Sequence, residues 1–180
     1  MGKETTRAGP SPSDCAKVSL SCACHNLRRA SRAVTQLFDG YFEEVGLKAT
    51  QFTVLAVLAW GDDELSTIGE LADTLVLEPS SLSRNLAVLE RAGFIRLVPG
   101  EEDRRERIVT LTRGGRAALA RGFPIWKKAQ AAIASALQDS ELDSQLRSLR
   151  RLTRTAQELR PPKSRPRGGG PARDRTARHA

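Results

Sequence analysis

Aromatic residues make up only 4% of this 180-residue chain, with one tyrosine and one methionine. So little ring area, beside an abundance of Leu and Ala, argues against a sheet sandwich and for a helix-rich globular domain. No apolar run approaches the roughly 20 residues of a membrane helix, so no membrane partner is expected. The opening MGKETTRAGPSPSD lacks the apolar stretch of a secretory leader. Cysteine is scarce as well: Cys15, Cys22 and Cys24 are an odd number crowded together, unsuited to a disulfide framework, and a reducing cytoplasm is the expected setting. Of the two histidines, His179 lies near the end, and there is no His-Glu-x-x-His, no phosphate-cradling glycine loop after a strand and no nucleophile elbow. Neither an enzyme nor a cofactor is expected. A closed zinc site wants about four ligands, and Cys22, Cys24 and His25 would have to recruit Cys15 or His179 from opposite tails, so no metal is expected either.

What the chain has is positive charge, formally +8, unevenly placed. Residues 161–180 hold six basic residues against one acid, whereas residues 14–160 hold 21 basic against 19 acidic. A polyanionic partner must therefore be met by a local cluster rather than by bulk charge. The end, PPKSRPRGGGPARDRTARHA, has no apolar periodicity and reads as a disordered basic tail, either a DNA-seeking arm or a solubilising segment. Residues 1–15 read as a second disordered tail.

Between the tails, Leu20, Ala23, Leu27, Ala30, Val34, Leu37 and Tyr41 recur at steps of three and four, the stripe of a long amphipathic helix ended by Gly40 and Gly46. A second helix, from Phe52 to Trp60, is apolar nearly throughout and should be buried on most sides. Thr67 and Glu70 form a capping-box pattern before Ile68, Leu71, Ala72 and Leu75, a short helix. Pro79 suits the first position of the next, which Gly93 should stop. Its inner row is Leu82, Leu86 and Leu89, which turns Ser80, Arg84, Ala87 and Arg91 outward, flanked by Ser81, Ser83 and Asn85. The period then changes to two: 94–98 and 107–111 read as a β-hairpin with PGEEDRRE at its tip. Two more helices follow, 113–137 with Pro124 as an expected kink, and one capped by Ser140 with Asp143 and striped by Leu142, Leu146, Leu149, Leu152 and Leu159.

Helix, tight turn, helix, arginine-tipped hairpin is the order of a winged helix-turn-helix. A helix enters a major groove only if its leading face has no bulk; Ser80, Ser81 and Ser83 can donate to phosphates or base edges, Arg84 can fork onto a guanine and Asn85 onto an adenine. Arg104, Arg105 and Arg107 on the hairpin suit a narrow, electronegative minor groove. Asp103 is expected to hold an arginine fork in place.

The stretch TIGELADTLVLEPSSLSRNLAVLERAGFIRLVPGEEDRRERIVTLTRGG, with Asp103, Arg105, Leu111 and Thr112, resembles the DNA-binding core of the MarR family of bacterial transcription regulators. The resemblance extends over about residues 20–159. It implies a mainly α fold with a small β-hairpin wing, a lobe at about 50–112 and long terminal dimerisation helices at about 18–42 and 113–160, within a domain spanning 16–160. It also implies a homodimer on a pseudo-palindromic double-stranded DNA operator, most simply as a repressor, released by a small-molecule effector or by cysteine oxidation. The apolar stripes of the first and last helices independently ask for a twofold partner, since uncovered they would be exposed patches.

Two candidate switches follow. In the MarR-type organic-hydroperoxide sensors a reactive cysteine stands where Cys24 stands here, near a helix start with Arg28 one turn on. The two tyrosines that hold that thiolate would fall at Arg28 and Phe38, and the other reading has Cys22 and Cys24 packing at the dimer seam. Phe38, Tyr41, Phe42, Phe52 and Trp60 are the candidate effector pocket, or else plain core. The rival function is a winged helix that binds protein and no DNA.

Overall fold

The computed structural model describes residues 9–61, 65–100 and 103–161. In chain order the elements are α1 (Pro12–Ser21), α2 (Ala23–Phe42), a 3-10 turn (Glu43–Val45), α3 (Ala49–Trp60), β1 (Leu65–Thr67), α4 (Ile68–Leu75), α5 (Pro79–Arg91), β2 (Ile95–Pro99), β3 (Arg107–Leu111), α6 (Arg113–Leu137) and α7 (Asp139–Glu158). Two units divide the chain, Met1–Ser135 and Ala136–Ala180.

The amino-terminal helical stretch begins earlier than its stripe suggested and is broken. Ser11 caps α1, accepting from the Asp14 N–H while the Asp14 carboxylate accepts from the Ser11 N–H, and Pro12 takes the first helical position. Residues 12–15, expected as tail, are therefore helical. Cys22 is extended (φ −72°, ψ 113°) and separates α1 from α2. The Asn26 amide spans that break, donating to the Cys22 carbonyl at 3.0 Å with the Ser19 carbonyl at 3.3 Å. The Ser19 carbonyl is one that an unbroken helix would have used internally, whereas the Cys22 carbonyl also accepts the Asn26 backbone N–H at 3.1 Å, the first bond of α2. Gly40 ends nothing; α2 runs on to Phe42, and Gly46, in the left-handed region at φ 67°, makes the reversal. Asp39 accepts the Ala49 N–H at 2.7 Å and fixes where α3 starts.

The winged lobe is assembled around leucines. Leu71, Leu82, Leu86 and Leu89 of α4 and α5 pack with Leu55 and Leu58 of α3 and with Ile95, Val109 and Leu111 of the sheet in one buried cluster. Three strands form that sheet, in the order β1-β3-β2, all antiparallel, with Leu65 opposite Thr110 and Pro99 opposite Arg107. The hairpin of the sequence reading is thus joined by a third strand. At only three residues, β1 is too short to show a period.

Thr112 and Gly115 bring α6 onto the lobe. The Thr112 hydroxyl donates to the Gly93 carbonyl at 2.7 Å and accepts the Gly115 N–H at 3.0 Å. A Cβ at Gly115 would collide with the Phe94 carbonyl, so glycine is what permits the approach. The helix persists across Pro124, whose ring removes one backbone donor. In the second unit, α7 starts at Asp139 from Gln138 (φ 62°) with no side-chain cap, so the expected Ser140–Asp143 box does not form; none of its residues is buried. Among the described residues no helix is long and apolar enough to cross a membrane.

Candidate nucleic-acid interface

The turn between α4 and α5 sets the orientation of α5. The reciprocal box expected at the start of α4 is present: Thr67 accepts the Glu70 N–H at 3.1 Å and Glu70 accepts the Thr67 N–H at 2.9 Å. That backbone bond, before the hydroxyl of Thr67, holds the Glu70 carboxyl below the usual glutamate range. At the far end Val76 adopts the left-handed conformation, φ 53°, unusual for a β-branched residue. The Leu77 N–H reaches back to the Ala72 carbonyl at 2.8 Å, closing the helix end and aiming the chain into α5.

On α5, Leu82, Leu86 and Leu89 are fully buried, and Ser80, Ser81, Ser83, Arg84, Ala87 and Arg91 are exposed, as the helical angle required. Asn85 is half-buried, at the edge of the inner row rather than on the open face. The Ser83 hydroxyl donates to the Pro79 carbonyl at 2.8 Å, so its proton is spent within the helix and it faces outward as an acceptor, contrary to the donor role anticipated for it.

The hairpin tip carries exposed Arg104, Arg105 and Arg107. Among the described residues no guanidinium fork meets Asp103, which holds the loop through backbone groups instead. Its carboxylate accepts the backbone N–H of Arg105 at 2.8 Å, two residues on, while its carbonyl accepts the Glu106 N–H at 3.0 Å. A short acidic side chain is suited to this loop geometry, which it stiffens from inside. Gly100 donates to the Glu106 carbonyl at 3.0 Å and closes the loop; a Cβ there would approach the Asp103 carbonyl to 2.7 Å.

One positioning residue went unremarked in the sequence. Glu90, on the last turn of α5, accepts the Leu97 N–H of β2 at 3.0 Å and couples the angle of the helix to the wing. No local pattern announces it, because the partner lies across a turn of chain and is a backbone group.

The candidate switch residues also have definite places. Cys24 is exposed in the first turn of α2, Cys22 is half-buried at the break before it, and Cys15 is exposed on α1; all three are free thiols. A cavity of about 810 Å³ opens between α2, α3 and α6. Phe38, Phe42, Phe52 and Trp60 line it, joined by Phe123 and Trp126 of α6. Tyr41 does not line it; it packs against the core instead. Trp60 is 83% exposed, so the last residue of α3 escapes the burial expected for that helix. Among the described residues no group of three His, Cys, Asp or Glu side chains is placed to hold a metal ion.

Comparison with known proteins supports the same reading. A family model described as MarR family matches residues 45–106, from the start of α3's approach to the wing. The crystal structure of the Mycobacterium tuberculosis transcriptional regulator MosR in complex with DNA is 35% identical, covers 77% of this chain and 98% of its own, and superposes with a TM-score of 0.70. The chain belongs to the MarR family. Two curated relatives are similar over shorter spans: the transcriptional activatory protein BadR of Rhodopseudomonas palustris, 36% identical over 75 residues (41% of this chain, 43% of that one), and the HTH-type transcriptional regulator PecS of Dickeya dadantii, 32% identical over 90 (49% and 54%). The alignment thus spans about half the length of these curated relatives. In MarR terms, α4 and α5 are the helix-turn-helix and β2–β3 the wing.

Proposed function

We propose that this MarR-family chain is a sequence-specific DNA-binding transcription regulator, acting as a homodimeric repressor on a pseudo-palindromic operator in the cytoplasm. It works by binding, with no catalytic step. The observation that carries this is the start of the open face of α5, where Ser80, Ser81 and Arg84 stand exposed with no bulky apolar side chain among them, beside a hairpin stiffened by Asp103 and tipped with arginines. A similar chain, MosR, was crystallised with DNA. Arg84 reads a base edge and the wing arginines contact the backbone or minor groove. Two copies make two such contacts, which compensates for a nearly neutral body. The exposed stripes, Leu27, Val34 and Leu37 on α2 and Leu149 and Leu152 on α7, are the surfaces that a second copy would cover.

Selection of bound sequences from a random duplex pool tests this directly. Arg84→Ala is expected to relax preference at a base step, costing about 1–3 kcal/mol. Arg105→Ala is expected to weaken all sequences alike and to flatten the salt dependence. Unchanged binding by both variants would favour a winged helix that recognises protein instead.

Release has two supported routes. The cavity between α2, α3 and α6 adjoins the lobe, and a ligand there would bias the angle between lobe and helices. Cys24, exposed among the unpaired N–H groups of a first helical turn, is available to peroxide. Loss of operator binding on peroxide treatment, retained by Cys24→Ser, is the expected mark of the second route; equal loss in both proteins would remove it.

A further inference from the structure

We infer that Ser83 acts as a hydrogen-bond acceptor that selects an amino-bearing base, adenine or cytosine, over a keto-bearing one at one position of the operator. The inference rests on reading α5 as the helix that enters the major groove. The serines of α5 are not equivalent. Ser80 and Ser81 are exposed, and their hydroxyls make no hydrogen bond to any described residue, so each can turn to donate or to accept. Ser83 is exposed too, but its hydroxyl donates to the Pro79 carbonyl at 2.8 Å. A serine hydroxyl has one proton and two lone pairs. With the proton held by the backbone, Ser83 shows solvent only lone pairs, and the bond it donates makes its oxygen a better acceptor.

The groove offers such an acceptor few partners. Adenine N6 and cytosine N4 donate there, whereas guanine O6, thymine O4 and the purine N7 atoms accept. Facing a keto oxygen, Ser83 sets lone pair against lone pair unless its bond to Pro79 breaks, which leaves the helix-held proton to be found again elsewhere. A phosphate, which only accepts, meets the same mismatch, so the base edge rather than the backbone is the fitting partner. The neighbouring side chains leave this assignment open to Ser83 alone. Arg84, about 100° further round the helix, is all donor and takes the acceptor pattern of a guanine. Ala87, one turn on from Ser83 and exposed, presents a methyl with no polar group to compete. Glu90, on the same flank, accepts the Leu97 N–H at 3.0 Å and is directed to β2. Every base pair carries one amino group in the major groove, so an acceptor fixed in this way reports which strand holds it.

The test selects bound duplexes from a random pool with the full unaltered chain and with Ser83→Ala. Alanine at an exposed helical position is no threat to folding. One position is expected to hold A or C in the first pool and to tolerate all four bases in the second. The amino group is then deleted from the enriched duplex, by purine in place of adenine or 2-pyrimidinone in place of cytosine at that position. The unaltered chain is expected to lose about three- to tenfold in affinity and Ser83→Ala to lose nothing, so that protein and DNA changes are not additive. A keto preference that Ser83→Ala removes, an equal weakening of all sequences by Ser83→Ala, or no effect of that substitution would each overturn the inference while leaving operator binding intact. Enrichment of no sequence by the unaltered chain would overturn the DNA-binding reading and the inference with it.

Discussion

Helices α5 and α7 differ little in amphipathic pattern and greatly in fate. The leucine row of α5 is fully buried, whereas α7, with leucines at similar spacing, buries no residue, and Leu149 and Leu152 remain 44% and 39% exposed. Helix α1 likewise buries none, and α2 buries only Phe42. The winged lobe completes its own core; the terminal helices carry apolar faces that call for a cover from outside. A lobe mutation should therefore act as a local, concentration-independent loss of stability, and a stripe mutation should act through assembly.

The sharpest break of that contrast is Leu86→Ala. Opening a cavity at a fully buried position should cost about 2–5 kcal/mol and lower the melting temperature at every protein concentration. Next comes Leu37→Glu on the exposed stripe of α2, which should leave the helical circular dichroism unchanged while costing about 2 kcal/mol or more of association, read by sedimentation equilibrium and weaker operator binding. A drop in stability from Leu37→Glu equal to that of Leu86→Ala would erase the distinction. Val76→Gly should raise lobe stability by about 1 kcal/mol, because glycine adopts φ 53° without the clash of a β-branched side chain and Val76 is mostly exposed; denaturant melts of the two proteins decide it. The smallest effect belongs to Glu70. Its carboxyl is held below the ordinary glutamate range by the Thr67 N–H, so the folded chain binds that proton less readily than the unfolded one. The cap is therefore fully made above the unfolded glutamate range and weakens as pH falls through the lowered folded value, which carboxyl NMR shifts should follow; Glu70→Gln should flatten that response.

Much of the lobe was legible in the residues because it is written in local chemistry. The Thr67–Glu70 box, Pro79 opening α5, the Leu82–Leu86–Leu89 row and Gly93 (φ 71°) stopping the helix all act within a few positions, and each stands where its spacing required. The departures involve partners distant in sequence or competition among neighbours. Strand β1 exists because β3 offers it an edge. The split at Cys22 is held by Asn26, a residue that a stripe-based reading passes over as surface. Asp103 chose the nearest N–H over a guanidinium because a fixed backbone donor two residues away costs less ordering than a long, mobile arginine. Tyr41 left the cavity, and Phe123 and Trp126 joined it, because cavity membership depends on how three helices cross.

The amino-acid order alone determined the sequence of elements, the inner and outer faces of α5 and the arginines at the wing tip, since periodicity, caps and turns are properties of consecutive residues. Packing in three dimensions decided the third strand, the Glu90 tie between α5 and β2, the glycine-permitted seat of α6 and a cavity walled by three helices. Those features join groups far apart along the chain, and only a folded core brings such groups within bonding distance.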